Sequence, residues 1–311
     1  MKVLMIFIDG FGLGDKNEKN PYHLAKTPFL DNLLGGHLLY QDSGKIEREN
    51  VVLIPTDSLL NVAGIPQSAT GQTTLWTGCN AAQIAGEHIN AFPTIQLQEI
   101  ISAHSLMKIL NEQGKKVTFA NAYRNEFFEI AKKKDYKFST STLVALSSKQ
   151  ALRNFDDLAE GNAVYQDFTN NLLTDWGYDV KIITPRQAGG NLAGIAVNHD
   201  FTLYEYFISD QTGHKQDMSA AVQIYENFDA FFSGMSSMDL DGMLIMIVSD
   251  HGNIEDLSIN THTMNPVPTI IIHNNVKAIN YDMIKSLTDI TPFVLQVIGM
   301  EDENNEIKTN L

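Results

Sequence analysis

The sequence predicts an α/β fold: a three-layer α/β/α sandwich on a mostly parallel central sheet, with a small inserted cap module. Met243 to Val248 is apolar at every position, as a central strand covered on both faces must be. Lys2 to Ile8 is a second such run, rich in Val, Ile and Phe. Both runs end in acidic or imidazole residues followed by glycine, Asp9-Gly10 and Asp250-His251-Gly252. In open α/β sheets the working residues collect at the carboxyl ends of strands.

The 311 residues allow one large domain, or one domain carrying an insertion. Hydrophobic content of 43% against 19% charged supports a sizeable core and argues against global disorder. The formal net charge of -15 disfavours a nucleic-acid partner and suits a protein that binds divalent cations. One cysteine, Cys79, forbids an intrachain disulfide and fits a reducing, cytoplasmic setting. The apolar run at Met1 to Ile8 is too short for a signal peptide and is broken by Asp9. No run approaches the roughly 18 apolar residues of a membrane span.

After the first strand and the Asp9-Gly10-Phe11-Gly12 turn, Asn20 to Ala25 reads as a loop. Thr27 caps a helix that opens on Pro28 and stops at Gly35-Gly36. Val51 to Ile54 is a short strand. Ser68 begins a helix that ends at Gly78. A hydroxyl there is ordinarily a cap, but free N–H groups and the helix dipole at that place also favour an anion. Ser105 to Gln113 is an amphipathic helix and Val117 to Ala120 a strand. The stretch 124–184 lacks the buried-strand pattern of its flanks. It is expected to be the cap inserted between core segments 1–123 and 185–311. Within it, Arg124 to Lys134, Ser147 to Glu160 and Asp167 to Trp176 read as helical, and Thr140 to Leu146 as a strand. A helix from Pro185 to about Asn198 follows, then the strand Phe201 to Ile208 with Asp210 and His214 at its end. Gln216 to Phe232 is a long helix. Thr269 to His273 is the last strand, Ser286 to Ile298 the last helix, and the polar tail from Glu301 is expected to fray.

Asp9, Asp210, His214, Asp250, His251 and His262 thus recur at strand ends or just before a strand. Three carboxylates and three imidazoles suit two divalent cations, Zn²⁺ or Mn²⁺. Two such ions about 4 Å apart can activate an oxygen nucleophile and neutralise a transferring phosphoryl group.

In this order and spacing, Ile8-Asp9-Gly10, Ser68-Ala69-Thr70-Gly71, Asp210-x-x-Gly-His214, Asp250-His251-Gly252-Asn253 and Thr261-His262-Thr263 with Pro266-Val267-Pro268 resemble the alkaline phosphatase superfamily. The branch resembled is that of cofactor-independent phosphoglycerate mutase and phosphopentomutase. Leu287 to Pro292 resembles that superfamily's terminal segment. The resemblance implies that Asp210, His214 and His262 hold one metal and Asp9, Asp250 and His251 the other. It implies that Ser68 bridges toward the second metal and takes the phosphoryl group, with Thr70 the competing hydroxyl. It departs from the branch at Gln72, where the mutases usually carry histidine, in the shortness of the insert, and in the lack of an arginine-rich substrate segment. His88, Arg124, Arg153 and Arg186 are the candidate substrate contacts. The expected activity is phosphomutase-like transfer on a small phosphorylated metabolite through a phosphoserine. The alternatives are a phosphatase or phosphodiesterase, and a non-catalytic binder of metal or phosphometabolite.

Overall fold

The computed structural model describes residues 1–236, 242–274 and 279–300. The polar tail from Glu301 lies outside these residues. Strands β1 (Lys2–Ile8), β2 (Ile46–Glu47), β3 (Val51–Thr56), β4 (Val117–Phe119), β5 (Phe201–Tyr206), β6 (Met243–Val248) and β7 (Val267–Ile272) form one sheet in the order β2-β3-β7-β6-β1-β5-β4. β6, β1, β5 and β4 run parallel, whereas β7 is antiparallel to both β6 and β3.

The alternation of side chains along β1 explains the two helical layers. Leu4, Ile6 and Ile8 join a core under the Pro185–Ala196 and Met218–Met235 helices. Val3, Met5 and Phe7 join the opposite core, under the Ser68–Thr77, Leu106–Glu112 and Ile290–Ile298 helices. All six side chains are buried, so neither face tolerates a polar residue, and the apolar run in the sequence is the direct consequence. Phe7 meets Trp76 edge-on, with ring centroids 5.0 Å apart. On the first face the helices Pro185–Ala196 and Met218–Met235 cross at two glycines. A Cβ on Gly189 would lie 2.0 Å from the Phe231 carbonyl oxygen, and one on Gly234 would lie 2.0 Å from that of Arg186.

The register aligns the carboxyl ends of the three central strands: Phe7 lies beside Val248, and Ile8 beside Tyr206. From β1 the chain crosses to the β2–β3 edge and re-enters at the opposite edge as β4, so β1 ends up between β5 and β6 with the three carboxyl ends side by side.

Several expectations need correction. Thr140–Ser147 is a helix, not a strand: Ser139 caps it, and Thr140, Ser141, Val144 and Ala145 share a buried face at helical spacing. Its β-branched residues misled the reading. The expected helix over Ser147 to Glu160 shrinks to Phe155–Ala159, because Lys149 adopts φ 58°. That over Asp167 to Trp176 shrinks to Asn171–Asp175, after left-handed Phe168 and Asn170. β5 stops at Tyr206, and Asp210 with His214 stands on a helix, Ile208–Lys215. The Ile95–His104 helix, capped by Thr94, escaped the sequence reading, as did the short Pro21–Leu24 helix in the expected loop.

The stretch 124–184 is tied to the β4 edge by parallel bridges Asn121–Val164 and Ala122–Arg153. Val144 and Ala145 enter one core, Val164 and Phe168 the other. Phe168 stacks on Phe231 at a 4.2 Å centroid distance.

Candidate metal centre

Four short segments meet at the aligned strand ends. Asp9 follows β1, its N–H bonded to the Tyr206 carbonyl at 2.9 Å and its own carbonyl to the Ser209 hydroxyl at 2.6 Å. Gly10 turns the chain at φ 66°, and a Cβ there would lie 2.8 Å from Asp210 Oδ1, so only glycine lets these two loops touch. Asp210 and His214 are four residues apart on their helix, which puts both side chains on one face. Asp250 and His251 follow β6, and Asp250 Oδ1 accepts from the N–H groups of Gly10 at 3.4 Å and His251 at 3.0 Å. His262 arrives on the loop before β7, held by an antiparallel bridge between Gly252 and Thr263.

The structure brings all six predicted ligands and Ser68 together. Ligand atoms of Asp9, Asp250 and His251 lie within 4.8 Å of one another, as do those of Asp210, His251 and His262. His251 therefore stands between the two groups. His214 joins the second group, its Nε2 3.4 Å from Asp210 Oδ2 and 3.2 Å from His262 Nε2. Ser68 Oγ lies 2.9 Å from His251 Nε2. Thr70, the competing hydroxyl, is buried and donates to the Gln67 carbonyl at 3.2 Å while accepting from Ile89 N–H at the same distance. One expectation at this helix start is corrected. The N–H groups of Ala69 and Thr70 are not free, because both donate to the Ile89 carbonyl.

These residues fit a pair of divalent cations. Nδ1 of His214, His251 and His262 faces the backbone carbonyls of Asn260, Gly252 and Pro66 at 2.9, 3.4 and 2.8 Å. Donation to those carbonyls turns the Nε2 lone pair of each ring inward, as in metal-binding histidines. Asp9 Oδ1 and Asp250 Oδ2 are buried without a hydrogen-bond partner. Inward lone pairs and buried carboxylates repel one another unless a cation lies among them.

The electrostatics carry the same message. Burial, and then the charges of Asp250 and Asp210, hold Asp9 well above the usual carboxylate range. Burial and the charge of Asp210 push Asp250 up to about 7. Burial, with the neighbouring His262, depresses His251 to about 3. Burial would raise Asp210 as well, but the hydrogen bond from His262, protonated at both nitrogens in the metal-free site, and that from the Asn253 amide help outweigh it and bring Asp210 to about 2.

Two supporting residues had no role in the sequence reading: Glu255, which it did not single out, and Asn253, which it quoted only as part of a motif. Glu255 is buried and accepts from Gly12 N–H at 3.0 Å, Asn253 N–H at 2.7 Å, Asn265 Nδ2 at 3.1 Å and the Thr263 hydroxyl. It thereby ties together the loops that bear Asp9, His251 and His262. Asn253 Nδ2 donates to Asp210 Oδ1 at 2.6 Å, and the space is so tight that a Cβ on Gly213 would lie 2.4 Å from Asn253 Oδ1. A charged residue two places past Asn253, inside the loop that follows β6, was the available signal for Glu255.

A cavity of about 600 Å³ opens from Asp9, Ser68 and Asp210. Gln72 lines it and reaches toward Asp9, Nε2 to Oδ2 3.4 Å. Of the four candidate substrate contacts only Arg124 lines this cavity, where Lys137, unforeseen from the sequence, joins it. The Arg153 guanidinium is instead bonded to the Thr118 hydroxyl and the Asn162 carbonyl. Arg186 reaches Ser233 on the far helical layer at 2.9 Å, and His88 Nε2 faces the Val62 carbonyl at 3.3 Å.

Residues 187–302 match the family model of the Metalloenzyme superfamily. A 2,3-bisphosphoglycerate-independent phosphoglycerate mutase of Flavobacterium johnsoniae is 33% identical over 34% of this chain and 22% of its own length. The enzyme of the same name from Colwellia psychrerythraea is 30% identical over 43% of this chain and 24% of its own. The matches thus span about a quarter of these relatives. Among solved structures, the PH0037 protein of Pyrococcus horikoshii superposes with a TM-score of 0.58 at 14% identity, covering 97% of this chain and 98% of that one. A phosphoglycerate mutase of Leishmania mexicana gives 0.51 at 11% identity, covering 96% and 95%. These two likenesses are of fold. The chain thus resembles the metalloenzyme superfamily over residues 187–302 and shares the fold of both solved structures across nearly all of its length.

Proposed function

We propose that this protein is a metal-dependent phosphoryl-transfer enzyme that works through Ser68. The observation that carries the reading is the position of Ser68 Oγ, 2.9 Å from His251 Nε2 and on the wall of the cavity. Asp9, Asp250 and His251 would hold one divalent cation and Asp210, His214 and His262 the other, as Mn²⁺ or Zn²⁺. Bound there, the cations supply positive charge that lowers the proton affinity of the serine and offsets the charge of the phosphoryl oxygens. Ser68 Oγ forms a bond to phosphorus as the ester P–O bond breaks, and the leaving oxygen takes a proton. In the second half the Oγ–P bond breaks as a hydroxyl attacks. Asn253 and Glu255 hold the ligand loops in register throughout.

The acceptor in that second half is a second hydroxyl of the same substrate, a phosphomutase reaction. The names of the sequence relatives support this reading, as does the stretch 124–184, which we propose to be a cap because it supplies Arg124, Phe127, Tyr136, Tyr165 and Trp176 to the cavity wall. Water is the acceptor in a second reading, phosphate-ester hydrolysis, favoured by the exposure of Trp176 (51%) and Phe92 (48%) on that wall. Incubation of the Mn²⁺-loaded protein with a pool of phosphorylated metabolites separates the two: free phosphate marks hydrolysis, and isomerisation without release marks the mutase. Ser68→Ala should abolish either reaction and leave metal content intact. Near-normal turnover by Ser68→Ala, or acid-quenched phosphate found on Thr70, would move the nucleophile elsewhere.

A further inference from the structure

The cavity beside the metal centre has room for a ligand much larger than a three-carbon acid. Its volume of about 600 Å³ lies in the middle of the range, about 300–1,000 Å³, of pockets that enclose whole drug-sized ligands. One wall is a run of aromatic rings. Tyr123 and Phe127 have centroids 4.3 Å apart, and Tyr136 meets Phe127 edge-on at 6.0 Å. The Tyr123 hydroxyl is fixed by Thr142 at 2.9 Å, so that ring cannot swing away. At the rim, the Arg124 guanidinium lies over the Trp176 indole, 4.8 Å from its centroid. All six of these side chains line the cavity.

The same cavity contains a carboxylate that the metal centre does not use. Glu205 sits in β5, the one charged residue in Phe-Thr-Leu-Tyr-Glu-Tyr, and is only 9% exposed. Its Oε2 accepts from Ser141 Oγ at 2.6 Å, and the side chain borders the cavity. Asn121 fixes it from behind, pairing with the Glu205 backbone N–H and carbonyl at 2.8 Å each. Burial raises its carboxyl to about 7. A buried carboxylate with one protein donor is stabilised by further donors from a ligand.

We infer that the cavity binds a phosphate ester of nucleotide-like build, its flat ring stacked on the Tyr123–Phe127 wall and a ring N–H or O–H donated to Glu205. This rests on the phosphoryl-transfer reading of Ser68 and holds for either acceptor. Ser68 and Asp9, which would meet the phosphate beside the metals, line the same cavity as the aromatic rings and Glu205. Two other substrate classes fit poorly. A phosphoglycerate would leave most of a cavity of about 600 Å³, and its aromatic wall, unfilled, whatever Arg124 and Lys137 offer its carboxylate. A phosphorylated ammonium alcohol would suit aromatic rings and a carboxylate, but here it would share the cavity with the cations of Arg124 and Lys137.

The test separates the ring from the chemistry. Guanosine, which carries no phosphate, presents adjacent N1–H and N2–H donors to a carboxylate. It should bind the full-length, metal-free protein and quench the emission of Trp176, the exposed one of its two tryptophans. Glu205→Gln should weaken that binding at least tenfold, and Phe127→Ala should do the same through the stack, while both variants keep the wild-type circular dichroism and metal content. With Mn²⁺ bound, guanosine or adenosine 5′-monophosphate should be turned over with kcat/KM at least a hundredfold above that for 3-phosphoglycerate, ribose 5-phosphate or phosphocholine. Turnover of any of these last three at a rate equal to or above that of the nucleotides would overturn the ring assignment and leave Ser68 chemistry standing. So would a nucleoside that fails to bind at millimolar concentration. If no ester is turned over but guanosine binds in a Glu205-dependent way, the phosphoryl-transfer reading falls and the ring site survives.

Discussion

Replacing Asp250 by asparagine should make the metal-free protein more stable at pH 8. In the fold the carboxyl of Asp250 is pushed up to about 7, first by burial and then by the charge of Asp210, from an ordinary value of 3.8. The folded state therefore holds this proton more tightly than the unfolded chain does. The sign follows from linkage: stability is fully present below pH 3.8, declines as the pH rises, and is lowest above pH 7. Each pKa unit corresponds to about 1.4 kcal/mol, so ionised Asp250 costs the fold roughly 4 kcal/mol at pH 8. Asparagine keeps the acceptor that serves Gly10 and His251 N–H and sets an amide donor near Asp9 Oδ1, which is otherwise buried without a partner. The variant should gain roughly 2–4 kcal/mol at pH 8, and less as the pH falls toward 5. For a chain of this size that is a rise in Tm of roughly 3–6 °C. Comparing two proteins at one pH cancels the slope contributed by His251 and other unchanged groups. Calorimetry in chelator at pH 5 and pH 8 measures the gap, and repeating it in excess Mn²⁺ should reverse the order, because the variant loses a ligand. An Asp250→Asn protein no more stable than wild type in chelator at pH 8 would refute the reasoning and make Asp250 a structural residue.

Protein reconstituted with Mn²⁺ or Zn²⁺ should hold about two ions per chain by elemental analysis, and a content below one with both metals would contradict the paired site. Glu255→Ala leaves four donors of three loops without an acceptor, each costing about 1–3 kcal/mol, so urea melts should show a loss of at least roughly 4 kcal/mol together with weaker metal retention. Gly234→Ala drives a Cβ to 2.0 Å from the Arg186 carbonyl oxygen and should lower stability by roughly 2 kcal/mol or more, while the surviving folded fraction binds metal as wild type does.

The division between sequence and structure follows from the range of the forces involved. Strands β1 and β6 were legible because burial on both faces demands an unbroken apolar run. The candidate ligands at their ends were legible because a charged residue beside such a run has few structural reasons to be there. The 68–77 helix was legible from its glycine stop, and the helices at 185–196 and 290–298 from their caps and periodicity. The stretch 124–184 was poorly legible because its helices are short and are bounded by left-handed residues, Lys149, Phe168 and Asn170, that carry no glycine to announce them. Pairing was not legible at all. That β7 pairs antiparallel with β3 depends on contacts between residues more than two hundred positions apart. The same holds for the sharing of His251 between two ligand groups, for Glu255 beneath three loops, and for Glu205 in an aromatic cavity. Sequence alone determined which residues could bind metal. Only the tertiary structure decided which of them meet, and at what distance, because hydrogen bonds and buried charges act over a few ångströms that the fold must first create.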